Sequence, residues 1–117
     1  MIRKEHSMRD KNHILDLLDL TIARLNLPSP HVAFKVKPRV EVDGFCTKDE
    51  DGTYTIYLKL PTEFFIIAEE LTHLYLYQYV DPEEHHEHPD FSPIKNMMVS
   101  ELRQSAAIIE ARKKEGH

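Results

Sequence analysis

The chain has 117 residues, 41% hydrophobic and 30% charged with three glycines, which fits one domain over 1–117 and excludes a disordered low-complexity protein. Its net charge of −5 is spread without a basic stripe, so nucleic acid is not the expected partner, and no apolar run approaches the ~20 residues of a membrane span. The single cysteine, Cys46, excludes an internal disulfide framework and a cysteine-rich zinc site; with a start, MIRKEHSMRDKNH, too polar for a signal peptide, it points to the cytoplasm.

Over about 8–27, apolar residues recur at Ile14, Leu17, Leu18, Ile22 and Leu25. This spacing predicts a helix with one buried stripe, ended by Pro28 and Pro30. In "HVAFKVKP", Val32, Phe34 and Val36 alternate with Ala33, Lys35 and Lys37, the pattern of a half-buried strand. "VEVDGFC" and "TYTIYLKL" flank the polar turn "TKDEDG". They read as an antiparallel hairpin with Ile56 and Leu58 on one face and Tyr57 and Lys59 on the other.

Pro61 falls in the first turn of the next predicted helix, which runs to about Tyr79 before Asp81-Pro82 ends it. A polar loop, "DPEEHHEHPDFSP", leads to a last helix over about 93–114, marked by Ile94, Met97, Met98, Leu102, Ala106 and Ile109. The expected fold is therefore α+β, with helices on one face of a small three-stranded sheet of antiparallel type.

The helix "FFIIAEELTHLYLYQY" is apolar almost all round, so it is expected to be buried, and buried carboxylates need partners. Its charged letters are Glu69, Glu70 and His73. Residues four apart share a helix face about 6 Å apart along the axis, so Glu69 and His73 could grip one ion. Glu70 lies ~100° round the helix, where a carboxylate reaches a metal-bound water without ligating the metal.

These residues, Glu69-Glu70-Leu71-Thr72-His73, resemble the His-Glu-x-x-His of zincin metallopeptidases with glutamate in place of the first histidine. A hairpin, a short gap and then the motif helix is also the order in small zincins. Over roughly 40–112 the chain is similar to the SprT-like metallopeptidases and the minimal gluzincins. The resemblance implies a zinc ion held by Glu69, His73 and a downstream ligand, with Glu70 activating water to attack a peptide or protein substrate.

For that ligand the two families differ. "HPDFSPIKNMM" resembles the SprT-like His-Gly-x-x-Phe stretch and implies His88, with Pro89 in place of glycine. "SELRQSAAI" resembles the gluzincin Glu-x-x-Ala-Asp and implies Glu101, with Gln104 and Ser105 in place of alanine and aspartate. His88 matches over the longer stretch, and His86 is a further candidate.

Other readings stand beside this one. The extra charge of Glu69 should make a bound water less acidic, which favours a zincin scaffold that no longer catalyses and binds a metal or a protein. A domain without metal, with His73 salt-bridged to Glu69 or Glu101, is a third. His85, His86 and His88 can be solvated loop residues, and Glu101 can pair with Arg103 or Lys95. Tyr75, Tyr77 and Tyr79, with Phe64 and Phe65, give the helix more apolar surface than a small domain easily covers, which leaves room for a homodimer.

Overall fold

A computed structural model describes residues 7–34 and 42–115. The expected Val36 end of the first strand, with Lys35 and Lys37, and the first two residues of "VEVDGFC" lie outside them.

Helix α1 (Lys11–Leu25) begins where the Asp10 carboxylate accepts the Asn12 N–H at 3.0 Å and the His13 N–H at 3.4 Å, satisfying two amides that no helical carbonyl can reach. It ends at Asn26, whose left-handed backbone (φ 54°) asparagine tolerates, and the Leu27 N–H returns to the Ile22 carbonyl at 3.0 Å. Ile14, Leu17, Leu18, Thr21 and Ile22 form the buried stripe. Met8 stands before the helix rather than in it and pairs with Thr62 through two backbone hydrogen bonds of 2.7 and 2.9 Å.

Strands β1 (His31–Ala33), β2 (Gly44–Lys48) and β3 (Tyr54–Leu58) form a sheet of order β1-β3-β2. The hairpin is as expected, with Cys46 opposite Ile56 and Gly44 opposite Leu58. It runs two residues further than the sequence indicates, because Thr47 and Lys48 still pair with Thr55 and Tyr54. Gly52, at φ 87°, makes the turn, and the Asp51 carboxylate accepts the Thr53 N–H at 2.9 Å.

The sheet is mixed, however, and not of antiparallel type: β1 runs parallel to β3, with Val32 opposite Ile56. A tight turn fixes only the hairpin partner. It leaves the far edge of β3 free, and β1, delivered there by α1, takes it in the parallel sense. Ile56 and Leu58 are fully buried, while Phe45 and Tyr57 stack at 4.4 Å across the hairpin on the other face.

Helix α2 (Phe64–Leu76) buries Ile67, Ala68, Glu70, Leu71, Thr72, Leu74 and Leu76. Each fully buried leucine or isoleucine contributes roughly 1.5–3 kcal/mol. The helix stops three residues before Tyr79, where the chain turns out through Tyr77–Tyr79 into a short 3₁₀ turn, Pro82–Glu84. Helix α3 (Phe91–Glu115) starts two residues ahead of Pro93, which its first turn accommodates.

One core unites Ile14, Leu17 and Leu18 of α1, Ile56 and Leu58 of β3, Ile67, Leu71 and Leu74 of α2, and Met98 and Leu102 of α3. Helices α1 and α3 are also tied by Thr21 Oγ1–H donating to Ser105 Oγ at 2.7 Å. No helix among the described residues is long and apolar enough to cross a membrane. The α+β class thus holds, with α2 beside the outer edge strand β2 and the loop 80–90 returning over the end of α2.

Candidate functional site

Where β2, α2 and that loop meet, a cleft of about 300 Å³ is walled by Glu69, Glu70, His73, Tyr77, His85 and His86, with Gly44 to Cys46 on the strand side. A second depression of about 370 Å³ adds Asp43, Phe65 and Ile66 and shares Val42, Gly44, Glu69 and Glu70 with the first. The pair of glutamates therefore sits between an imidazole-rich half and a half with an exposed phenylalanine.

Glu70 is 1% exposed, and its Oε1 has no hydrogen-bond partner among the described residues. Such a group is costly to bury unless it takes up a proton, a cation or a water. Burial, helped by the charge of Glu69 and opposed by Lys95, pushes its pKa up to about 8. Gly44 makes the approach of strand and carboxylate feasible. A Cβ there would lie 3.2 Å from Glu70 Oε2 and 2.9 Å from the Tyr57 carbonyl oxygen. Burial, with Glu70 adding to it, raises the Cys46 thiol to about 12, so this cysteine is no nucleophile.

His73 stands one turn beyond Glu69. Its Nδ1 shares a hydrogen bond of 2.9 Å with Nδ1 of His85. The His85 Nε2–H donates to the Val80 carbonyl at 3.0 Å. His85 is 0% exposed, and the Tyr77 ring meets it edge-on at 4.9 Å. Tyr77 is itself fixed by its hydroxyl, which donates to the Cys46 carbonyl of β2 at 3.1 Å. Burial first, then the neighbouring His86 and His85, lowers the His73 pKa to about 4. His73 is therefore a neutral imidazole at physiological pH, the form that ligates metals.

Glu69 is held by Lys95 of α3 at 3.0 Å, and the same ammonium lies 3.4 Å from the centre of the Phe65 ring. His86 packs on both His73 (4.7 Å between ring centres) and Phe91 (4.8 Å).

Of the residues singled out in the sequence, Glu69, Glu70 and His73 come together as helical spacing requires. His88 does not join them. It lines a separate depression with Tyr75, Tyr79 and Asp90, where its Nδ1 accepts the Asp90 N–H at 3.1 Å. Glu101 lies on the opposite side of α3, paired with Arg24 at 2.9 Å. Gly44 was not singled out in the sequence, and His85, Tyr77 and Lys95 were read there as a loop histidine, apolar surface and a partner of Glu101 rather than as parts of this cleft. "EEHHEH" holds no letter that tells the buried histidine from the exposed ones, and Lys95 lies on a different element with no spacing tied to the motif.

Among the described residues, no three histidine, cysteine, aspartate or glutamate groups form a ready-made metal cage. Lys95 occupies Glu69, and both nitrogens of His85 are engaged. The donor chemistry nevertheless suits zinc: a neutral imidazole with one uncommitted nitrogen, the Glu69 carboxylate a turn away and the His86 ring beside them, with the unpartnered oxygen of Glu70 in the same cleft wall. No family model, curated protein or solved structure matches the chain.

Proposed function

We propose that the chain is a small zincin-like hydrolase of peptide bonds, with zinc held by His73, Glu69 and His86 and with Glu70 as general base. Glu70 carries the reading: a carboxyl 1% exposed, one oxygen unpartnered, in the wall of an open cleft beside His73 and Glu69. A carboxylate buried for structural reasons is ordinarily paired. The order of hairpin, short gap and motif helix, with β2 at the edge of the described sheet beside that helix, supports the zincin-like frame.

Zinc bound there would polarise the scissile carbonyl and make a water more acidic. Glu70 would take the proton of the attacking water and pass it to the leaving amine. Burial holds the Glu70 pKa near 8 in the metal-free chain, and a bound cation would lower it toward the carboxylate form that a general base needs. The outer edge of β2, which pairs with no strand among the described residues, would align an extended peptide by backbone hydrogen bonds. His86 is preferred as the loop ligand because His85 has both nitrogens engaged and His88 faces away. Lys95 holds Oε1 of Glu69 at 3.0 Å, so the metal would take the other oxygen of that carboxylate or displace the ammonium.

That ion pair favours a second reading, a binding scaffold without catalysis, in which the Lys95 ammonium stands where a metal would. Incubating the chain with zinc and a peptide library, and reading cleavage by mass spectrometry, separates the two. The hydrolase reading expects cleavage that falls roughly 100-fold or more in Glu70→Gln. No cleavage by the wild type, with activity gained in Glu69→His, would establish the scaffold.

A further inference from the structure

We infer that His85 is a positioning residue, which fixes the ring of His73 in the tautomer that leaves Nε2 as its lone-pair nitrogen. The consequence for metal binding rests on the reading above; the geometry does not.

Val80 O can only accept, so the proton on its 3.0 Å bond belongs to Nε2 of His85. When both rings are neutral each carries one proton, so Nδ1 of His85 is then bare and accepts. Its partner at 2.9 Å, Nδ1 of His73, must then donate. A neutral His73 protonated on Nδ1 has its lone pair on Nε2, which makes no hydrogen bond to any described residue. His73 lines the cleft, and Nε2 is the nitrogen left for a ligand there.

The arrangement is built rather than incidental. His85 is fully buried in a loop that is otherwise largely exposed. Its ring is held edge-on by Tyr77 at 4.9 Å, and Tyr77 is tied to β2 through the Cys46 carbonyl. Strand, helix and loop thus converge on the orientation of one imidazole. Fixing the second nitrogen of a ligating histidine sets its tautomer and raises its basicity, and loss of such a partner weakens metal affinity roughly 10- to 100-fold.

The test is a long-range ¹H–¹⁵N spectrum of the metal-free protein, recorded where both rings are neutral. The expected result is His73 protonated on Nδ1 and His85 on Nε2. His85→Leu, checked for folding by its amide spectrum, should release His73 into a mixture of tautomers. His85→Asn, whose amide oxygen can accept in place of Nδ1, should restore the single form. Zinc titration should follow the same order, with His85→Leu weakened roughly 10- to 100-fold and His85→Asn nearer the wild type.

A wild-type His73 protonated on Nε2 would overturn the inference whether or not the variants fold. So would a folded His85→Leu with His73 unchanged. A wild type with the expected tautomers that binds no zinc would uphold the positioning role and sink the metal reading.

Discussion

Burial acts in opposite senses on the two central groups of the cleft. Glu70 is raised from 4.5 to about 8, so the folded chain keeps a proton that the unfolded chain releases. Its contribution to stability is full below pH 4.5 and is lost as the pH rises through 8. His73 is lowered from 6.5 to about 4. Its contribution is full above 6.5 and is lost as the pH falls through 4. Between 4.5 and 6.5 the two slopes oppose each other; between 6.5 and 8 only that of Glu70 remains. The metal-free wild type should therefore lose about 2 kcal/mol over that upper interval, at about 1.4 kcal/mol per pH unit. Urea denaturation at a series of pH values measures it. Glu70→Gln should remove the decline, and an unchanged decline in that variant would assign it to another group.

Helix α3 serves both ends of the architecture at once. Lys95 points to Glu69 in the cleft, whereas Glu101, six residues on and about 240° round the helix, points to Arg24 of α1. The Arg24 guanidinium also donates to Ser105 Oγ at 2.9 Å and to the Gln104 side-chain oxygen at 2.9 Å. Glu101 is thus a strut between helices. Its replacement by alanine should cost about 1 kcal/mol, as expected of an ion pair whose side chains are 26% and 20% exposed, and leave zinc affinity unaltered. His88→Ala should likewise leave it unaltered, since that ring lies on the Tyr75 side of the loop. Denaturation and calorimetric zinc titration of both variants check this. A loss of zinc with His88→Ala would mean that the loop turns over on binding and that His88 is the ligand.

Across the whole molecule, local periodicity was legible and long-range placement was not. The stripe of Ile14, Leu17, Leu18 and Ile22 and the alternation of Ile56, Tyr57 and Leu58 follow from spacing alone, and the structure has them; α2 is buried over about half its residues, with Phe65 left exposed, so its apolar letters did not mean burial on every side. Glu69, Glu70 and His73 share the cleft because one helix carries all three. The parallel β1–β3 pairing was not legible, since no turn links those strands. Neither was the burial of His85, fixed by Val80 and Tyr77, nor the reach of Lys95 across from α3. The central claim is that this cleft binds one metal ion through His73. Elemental analysis of tag-free protein, after incubation with zinc and desalting, tests it most directly. Near one zinc per chain is expected in the wild type, lost in His73→Ala and His86→Ala; a metal-free wild type, or zinc retained without His73, would rule out a metal site built on this imidazole.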